Sequence, residues 1–81
     1  MSNINLVFNY QGKPLTVQCQ EGESLNQVFN RYCTKSGLNR DDIKFYSHSK
    51  EIRGDNSSLK SNGIGNYHKI DVVGAKYVIG A

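Results

Sequence analysis

The stretch SLNQVFNRYCTKSG, residues 24–37, decides how the rest of the chain is read, because it carries the one long helical pattern in a sequence whose other apolar runs alternate. Leu25, Val28, Phe29, Tyr32 and Cys33 follow the spacing that lines one face of a helix. Ser24 can accept a hydrogen bond from the first-turn amides, and Gln27, three residues on, can reach back to the Ser24 amide, which is the reciprocal capping box. Glu21 and Glu23 lie where the helix dipole favours negative charge, and Arg31 and Lys35 lie toward the carbonyl end. Gly37 can take the left-handed conformation that stops a helix, with Leu38 folding back behind it. Such a helix needs a sheet to cover its apolar face.

Toward the N-terminus, Ile4, Leu6 and Phe8 alternate with Asn5, Val7 and Asn9, which predicts a half-buried strand over residues 4–10. Residues 11–14, Gln-Gly-Lys-Pro, read as a turn. Leu15, Val17 and Cys19 then alternate with Thr16, Gln18 and Gln20, giving a second strand paired to the first as a hairpin.

Toward the C-terminus, the polar link at residues 39–42 leads into a strand at residues 43–47, with Ile43 and Phe45 inward. Residues 47–51 read as a turn, Ile52 as a short return strand or an anchor at the sheet edge, and residues 53–58 as loop. Leu59 and Ile64 are isolated apolar anchors that plug the open end of the core. Gly63-Ile64-Gly65 has no helix after it, so it reads as a tight turn rather than a phosphate-cradling loop. Residues 69–73 form a last strand with Ile70 and Val72 inward, and residues 74–81 read as a tail. The order of elements predicts an α+β fold of the β-grasp kind, a mixed sheet of four to five strands with one helix packed across it. The first and last strands lie side by side in the middle. The helix crosses the face formed by Ile4, Leu6, Phe8, Val17, Phe45, Ile70 and Val72.

The chain of 81 residues is expected to form a single domain, with its core at about residues 4–73. Ten basic and seven acidic residues interleave, so the net charge of +3 favours solubility over a specific partner, and no basic run with interleaved aromatics marks a nucleic-acid surface. No apolar run approaches the roughly 18 residues of a membrane span, and the N-terminus lacks a signal-peptide pattern. The expectation is an intracellular protein, cytoplasmic or nuclear, monomeric in isolation and without a membrane partner. Cys19 and Cys33 fall at interior positions and read as two buried reduced thiols, with a disulfide as the alternative. With His48 and His68 they make four potential zinc ligands, but at the spacing of no zinc module, so no metal, cofactor or catalytic residue is expected.

Leu25, Val28, the Tyr32-Cys33 pair, Gly37-Leu38 and Ile43-Lys44-Phe45, followed by Ile52, Asp55-Asn56, Leu59, Ile64 and Ile70-Asp71-Val72, together resemble the ubiquitin-like family. Within it they are most similar to SUMO, the small ubiquitin-like modifier. The resemblance implies a non-catalytic domain that binds other proteins or peptide motifs, such as the N-terminal module of a larger protein. It implies two candidate surfaces. One is the groove between the second strand and the helix, where SUMO-like proteins accept an extended peptide; carried over, it uses Thr16, Val17, Gln18, Cys19, Gln27, Tyr32 and Lys35, with Arg31 nearby. Gln18 and Gln27 stand where SUMO has lysines, and a plain edge strand kept soluble by polar residues is the alternative. The other surface is the outer sheet face, where Tyr46 and Val73, with Lys44 and Asp71 around them, are similar in position to the apolar patch through which ubiquitin is recognised. Conjugated modifiers of this family end on a di-glycine, whereas this sequence ends Gly80-Ala81. The alternative function is therefore a modifier attached through Gly80 after removal of Ala81, against an ordinary tail glycine.

Overall fold

The computed structural model describes residues 3–74. Within these residues five strands and one α-helix run in the order β1 (Asn3–Tyr10), β2 (Lys13–Gln20), α1 (Leu25–Ser36), β3 (Ile43–Ser47), β4 (Lys50–Ile52) and β5 (Lys69–Gly74). They form one mixed sheet in the order β2-β1-β5-β3-β4. The parallel pair β1–β5 lies at its centre, and the other neighbours are antiparallel. This is the β-grasp arrangement that the sequence pattern predicts.

The helix ends follow their caps. Ser24 Oγ accepts the Gln27 amide at 3.1 Å, and Gln27 Oε1 accepts the Ser24 amide at 3.1 Å. Gly37, at φ 80°, donates its N–H to the Cys33 carbonyl at 2.9 Å and ends the helix in the left-handed region. The loop after β4 also serves the N-terminal end: the Leu25 and Asn26 amides, which have no partner within the helix, donate to the carbonyls of Ser57 and Asp55.

Both hairpin turns are shorter than the sequence suggests. The β1–β2 turn is only Gln11 and Gly12, at φ 52° and 76°. Positive φ at both central residues matches the twist of the paired strands and lets pairing begin at Tyr10 and Lys13, so Lys13 and Pro14 belong to β2. The β3–β4 turn is His48 and Ser49, at φ 51° and 67°, so Lys50 and Glu51 join Ile52 in a strand. Gly74, read as the first tail residue, is buried at the end of β5 opposite Ile43. Residues 40–42 of the polar link form a 3-10 turn capped by Asn39, whose Oδ1 accepts the Asp41 amide at 2.9 Å.

Ile4, Leu6, Phe8, Val17, Phe45, Ile70 and Val72 all lie buried under α1, and Leu59 and Ile64 close one end of the core. Two aromatic stacks join helix to sheet, Phe8 on Tyr32 at 4.4 Å between ring centroids and Phe29 on Phe45 at 4.0 Å. The stacks meet edge to face, with Phe8 and Phe29 at 85° and Phe8 and Phe45 at 83°. The Arg40 guanidinium lies 5.5 Å from the Phe29 centroid and 5.7 Å from that of Phe45. Asn30 and Asn26 hold it by hydrogen bonds, and Gly54 leaves it room, since a Cβ there would collide with the guanidinium.

Leu25, 1% exposed, sits at the helix end nearest Leu59 and Ile64. Replacing it by Ala removes buried methyl groups and leaves a cavity, so a loss of about 2–5 kcal/mol is expected, a large share of a small domain's stability. Thermal or urea denaturation checks this; a melt within a degree or two of the parent would mean that the helix face is wrongly assigned.

Candidate interaction surface

With α1 covering one face of the sheet, alternation along the strands fixes which side chains line the other. Register brings the four predicted outer-face residues together: Tyr46 pairs with Asp71, and Lys44 with Val73. Tyr46, Val73 and Lys44 are half-buried, and Asp71 is exposed. Glu51 lies opposite Tyr46 on its other side, and Asn9 opposite Asp71, so one row runs Glu51, Tyr46, Asp71, Asn9, Pro14 across the sheet. A second row carries Lys69, Val7 and Thr16. The face thus sets Tyr46 diagonally beside Val73, with Asp71 and Asn9 on the two central strands and Lys44, Lys69 and Glu51 around them. Glu51 and Asn9 were not singled out from the sequence, though the alternation of β1 placed Asn9 on the polar side. The Asn9 Oδ1 is shielded from solvent in the middle of this face with no hydrogen-bond donor among the described residues, an arrangement that costs about 1–3 kcal/mol.

The groove between β2 and α1 is more closed than the carried-over residues imply. Val17, Cys19 and Tyr32 are 1%, 4% and 2% exposed and belong to the core, so they offer a partner almost no surface. Thr16, Gln18, Gln27, Arg31 and Lys35 are exposed. Lys35 Nζ donates to the Thr16 carbonyl at 2.8 Å, and Arg31 Nη1 donates to the Gln18 carbonyl at 3.1 Å. Arg31 is also paired with Glu23, whose carboxyl is held below its usual range chiefly by that hydrogen bond.

The candidate chemical groups are dispersed. Cys19 and Cys33 are separate buried thiols on β2 and α1. Burial pushes the Cys19 thiol up to about 11, with Glu23 adding to the shift and Arg31 opposing it, and burial also raises Cys33. His48 and His68 do come together, ring centroids 5.4 Å apart, and Ser47 Oγ lies 2.6 Å from His68 Nε2. Burial, and then the neighbouring His48, lower the His68 pKa. Among the described residues no three potential metal ligands gather. Gly80 lies outside the described residues.

Solved structures place this geometry among known folds. A ubiquitin-like domain of an Arabidopsis thaliana protein, determined by NMR, matches with a TM-score of 0.82 at 18% identity, over 91% of this chain and 79% of that one. Ubiquitin of Caldiarchaeum subterraneum matches at 0.79 and 16% identity, over 90% of this chain and 94% of that one. The fold is ubiquitin-like. A chain in the crystal structure of ATBAG1 in complex with HSP70 matches at 0.77 and 17% identity over 88% of this chain, which spans only 40% of that one. No family model matches the sequence, and no curated protein does. At these identities the likeness speaks to the ubiquitin-like fold, and it does not support a particular closeness to SUMO.

The raised thiols carry a prediction. A thiol must lose its proton to react, so Cys19 and Cys33 in the folded protein should resist alkylation at neutral pH and react readily once the chain is denatured. Mass spectrometry after iodoacetamide treatment with and without denaturant checks this; rapid native labelling of either cysteine would contradict its burial.

Proposed function

We propose that this is a non-catalytic ubiquitin-like interaction domain of an intracellular protein that docks a protein partner on the outer face of its sheet. The observation that carries the reading is the juxtaposition of Tyr46 with Asp71 and of Lys44 with Val73 on the side opposite α1. A rigid aromatic side chain beside a Val, ringed by charges, has the composition of a small binding hot spot. The opposing charges of Lys44, Lys69, Asp71 and Glu51 suit a partner with both signs around an apolar anchor. The groove is the weaker candidate, because an added strand would have to displace Lys35 and Arg31 from the carbonyls that it needs. The ubiquitin-like neighbours support a binding role in general terms, and one of them lies in a complex with HSP70.

The test compares what the parent, Tyr46→Ala and Lys35→Glu retain from one cell extract, followed by titration of each retained protein into the isotope-labelled chain. Loss of the Tyr46 anchor should cost about 2 kcal/mol, roughly 30-fold in affinity, with the melt nearly unchanged and amide shifts centred on Tyr46 and Val73. Lys35→Glu should bind as the parent does. If every retained protein bound Tyr46→Ala as tightly as the parent, or shifted residues 16–19 instead, the outer face would not be the docking site.

A further inference from the structure

Among the described residues the sheet has two open edges of unequal length, the three residues of β4 and the eight of β2. A long open edge is a template for pairing with another chain, and a very short one is not. Along β2 the two-residue turn sets which main-chain groups face outward. Tyr10 and Lys13 close the hairpin, so Lys13, Leu15, Val17 and Cys19 exchange hydrogen bonds with β1, while Pro14, Thr16, Gln18 and Gln20 point their main-chain groups away from the sheet.

Each of these outward positions is dealt with separately. Pro14 has no N–H to offer. The Thr16 carbonyl accepts from Lys35 Nζ at 2.8 Å and the Gln18 carbonyl from Arg31 Nη1 at 3.1 Å. The Gln20 N–H donates to Glu23 Oε1 at 2.8 Å, and its carbonyl accepts the Glu23 N–H at 3.0 Å. Glu23 also braces Arg31, whose Nη1 donates to Glu23 Oε1 at 3.0 Å.

We propose that Arg31 and Lys35 guard this edge against antiparallel pairing of β2 with the β2 strand of a second copy of this chain. The guarded segment is self-complementary. Two copies related by a two-fold axis at Val17 bring Thr16 of each opposite Gln18 of the other, and these residues can then exchange N–H and C=O hydrogen bonds on both sides of the axis. Val17 and Cys19 stay in their own cores, so the two sheets can join without repacking. The cations oppose this in two ways. They occupy the carbonyls that the second strand needs, and displaced from them they meet the same two cations of the other copy across the axis. Charged side chains at a sheet edge, Lys above all, are a known means of blocking such pairing.

The test is the double variant Arg31→Met with Lys35→Met, which keeps the unbranched stems on the helix surface and removes both charges and both donors. Sedimentation velocity over a concentration series should show the parent as a monomer throughout, and the double variant with a weight-average mass rising toward twice the parent's. Adding Gln18→Pro, which removes only an outward N–H and leaves the β1 ladder intact, should return the variant to monomer. Amide NMR spectra check that each variant is folded; if the double variant is not, Lys35→Met and Arg31→Met are measured singly in the same series, and association of either supports the guard. Variants that are folded and monomeric at every concentration would overturn the inference. Association that persists with Gln18→Pro would overturn it too, because it would come from the methionines rather than from strand pairing.

Discussion

The packing of Phe8 and Phe45, from the sheet, against Tyr32 and Phe29, from the helix, is the contact on which the rest of the structure depends. Phe8 stands on β1 and Phe45 on β3, with β5 between them, so the two stacks span the middle of the sheet and fix where α1 crosses it. Stacked and edge-to-face pairs at these distances add specific geometry to the area that they bury. The helix cannot slide along the sheet without breaking them. Arg40 covers the outer side of the Phe29–Phe45 stack, which ties the link between α1 and β3 to the same cluster.

That constraint decides which side of the sheet stays open to solvent. One helix covers one face, and the apolar side chains of that face are consumed by the core. Among the described residues the sheet itself keeps its outer face and two edges uncovered by α1. The edge of β2 is capped by side chains from α1 and its approach, and the edge of β4 is short. On the outer face Tyr46 and Val73 are diagonal neighbours through strand pairing rather than through sequence, while Val7 lies farther along, beside Lys69.

The helix, its caps, the strand order and the inward-facing residues were legible in the sequence because each rests on a local signal: Ser24 with Gln27, Gly37, and alternation along β1, β2, β3 and β5. Tyr46, Val73, Lys44 and Asp71 were legible as outer-face residues for the same reason. Glu51 and Asn9, which extend their row across the sheet, were not, since register depends on pairing between separate strands. The β3–β4 turn was overestimated because His48 and Ser49 adopt positive φ without a glycine to signal it. Gly74 was missed as a strand residue because glycine shows no side chain to the alternation. The roles of Arg31, Lys35 and Arg40 depend on where long side chains fold back, which spacing alone does not encode.

The adjacency of β1 and β5 beneath α1 is tested most directly by proton–proton NOEs in the labelled protein. The arrangement predicts NOEs from the Phe8 ring to Tyr32, Phe29 and Phe45, together with main-chain contacts of a parallel pair between Phe8 and Ile70 and between Asn9 and Asp71. If Phe8 showed no contact to Ile70 and β1 made main-chain contacts to β3 instead, the central pair of the sheet would be wrong, and the outer face built upon its register would fall with it.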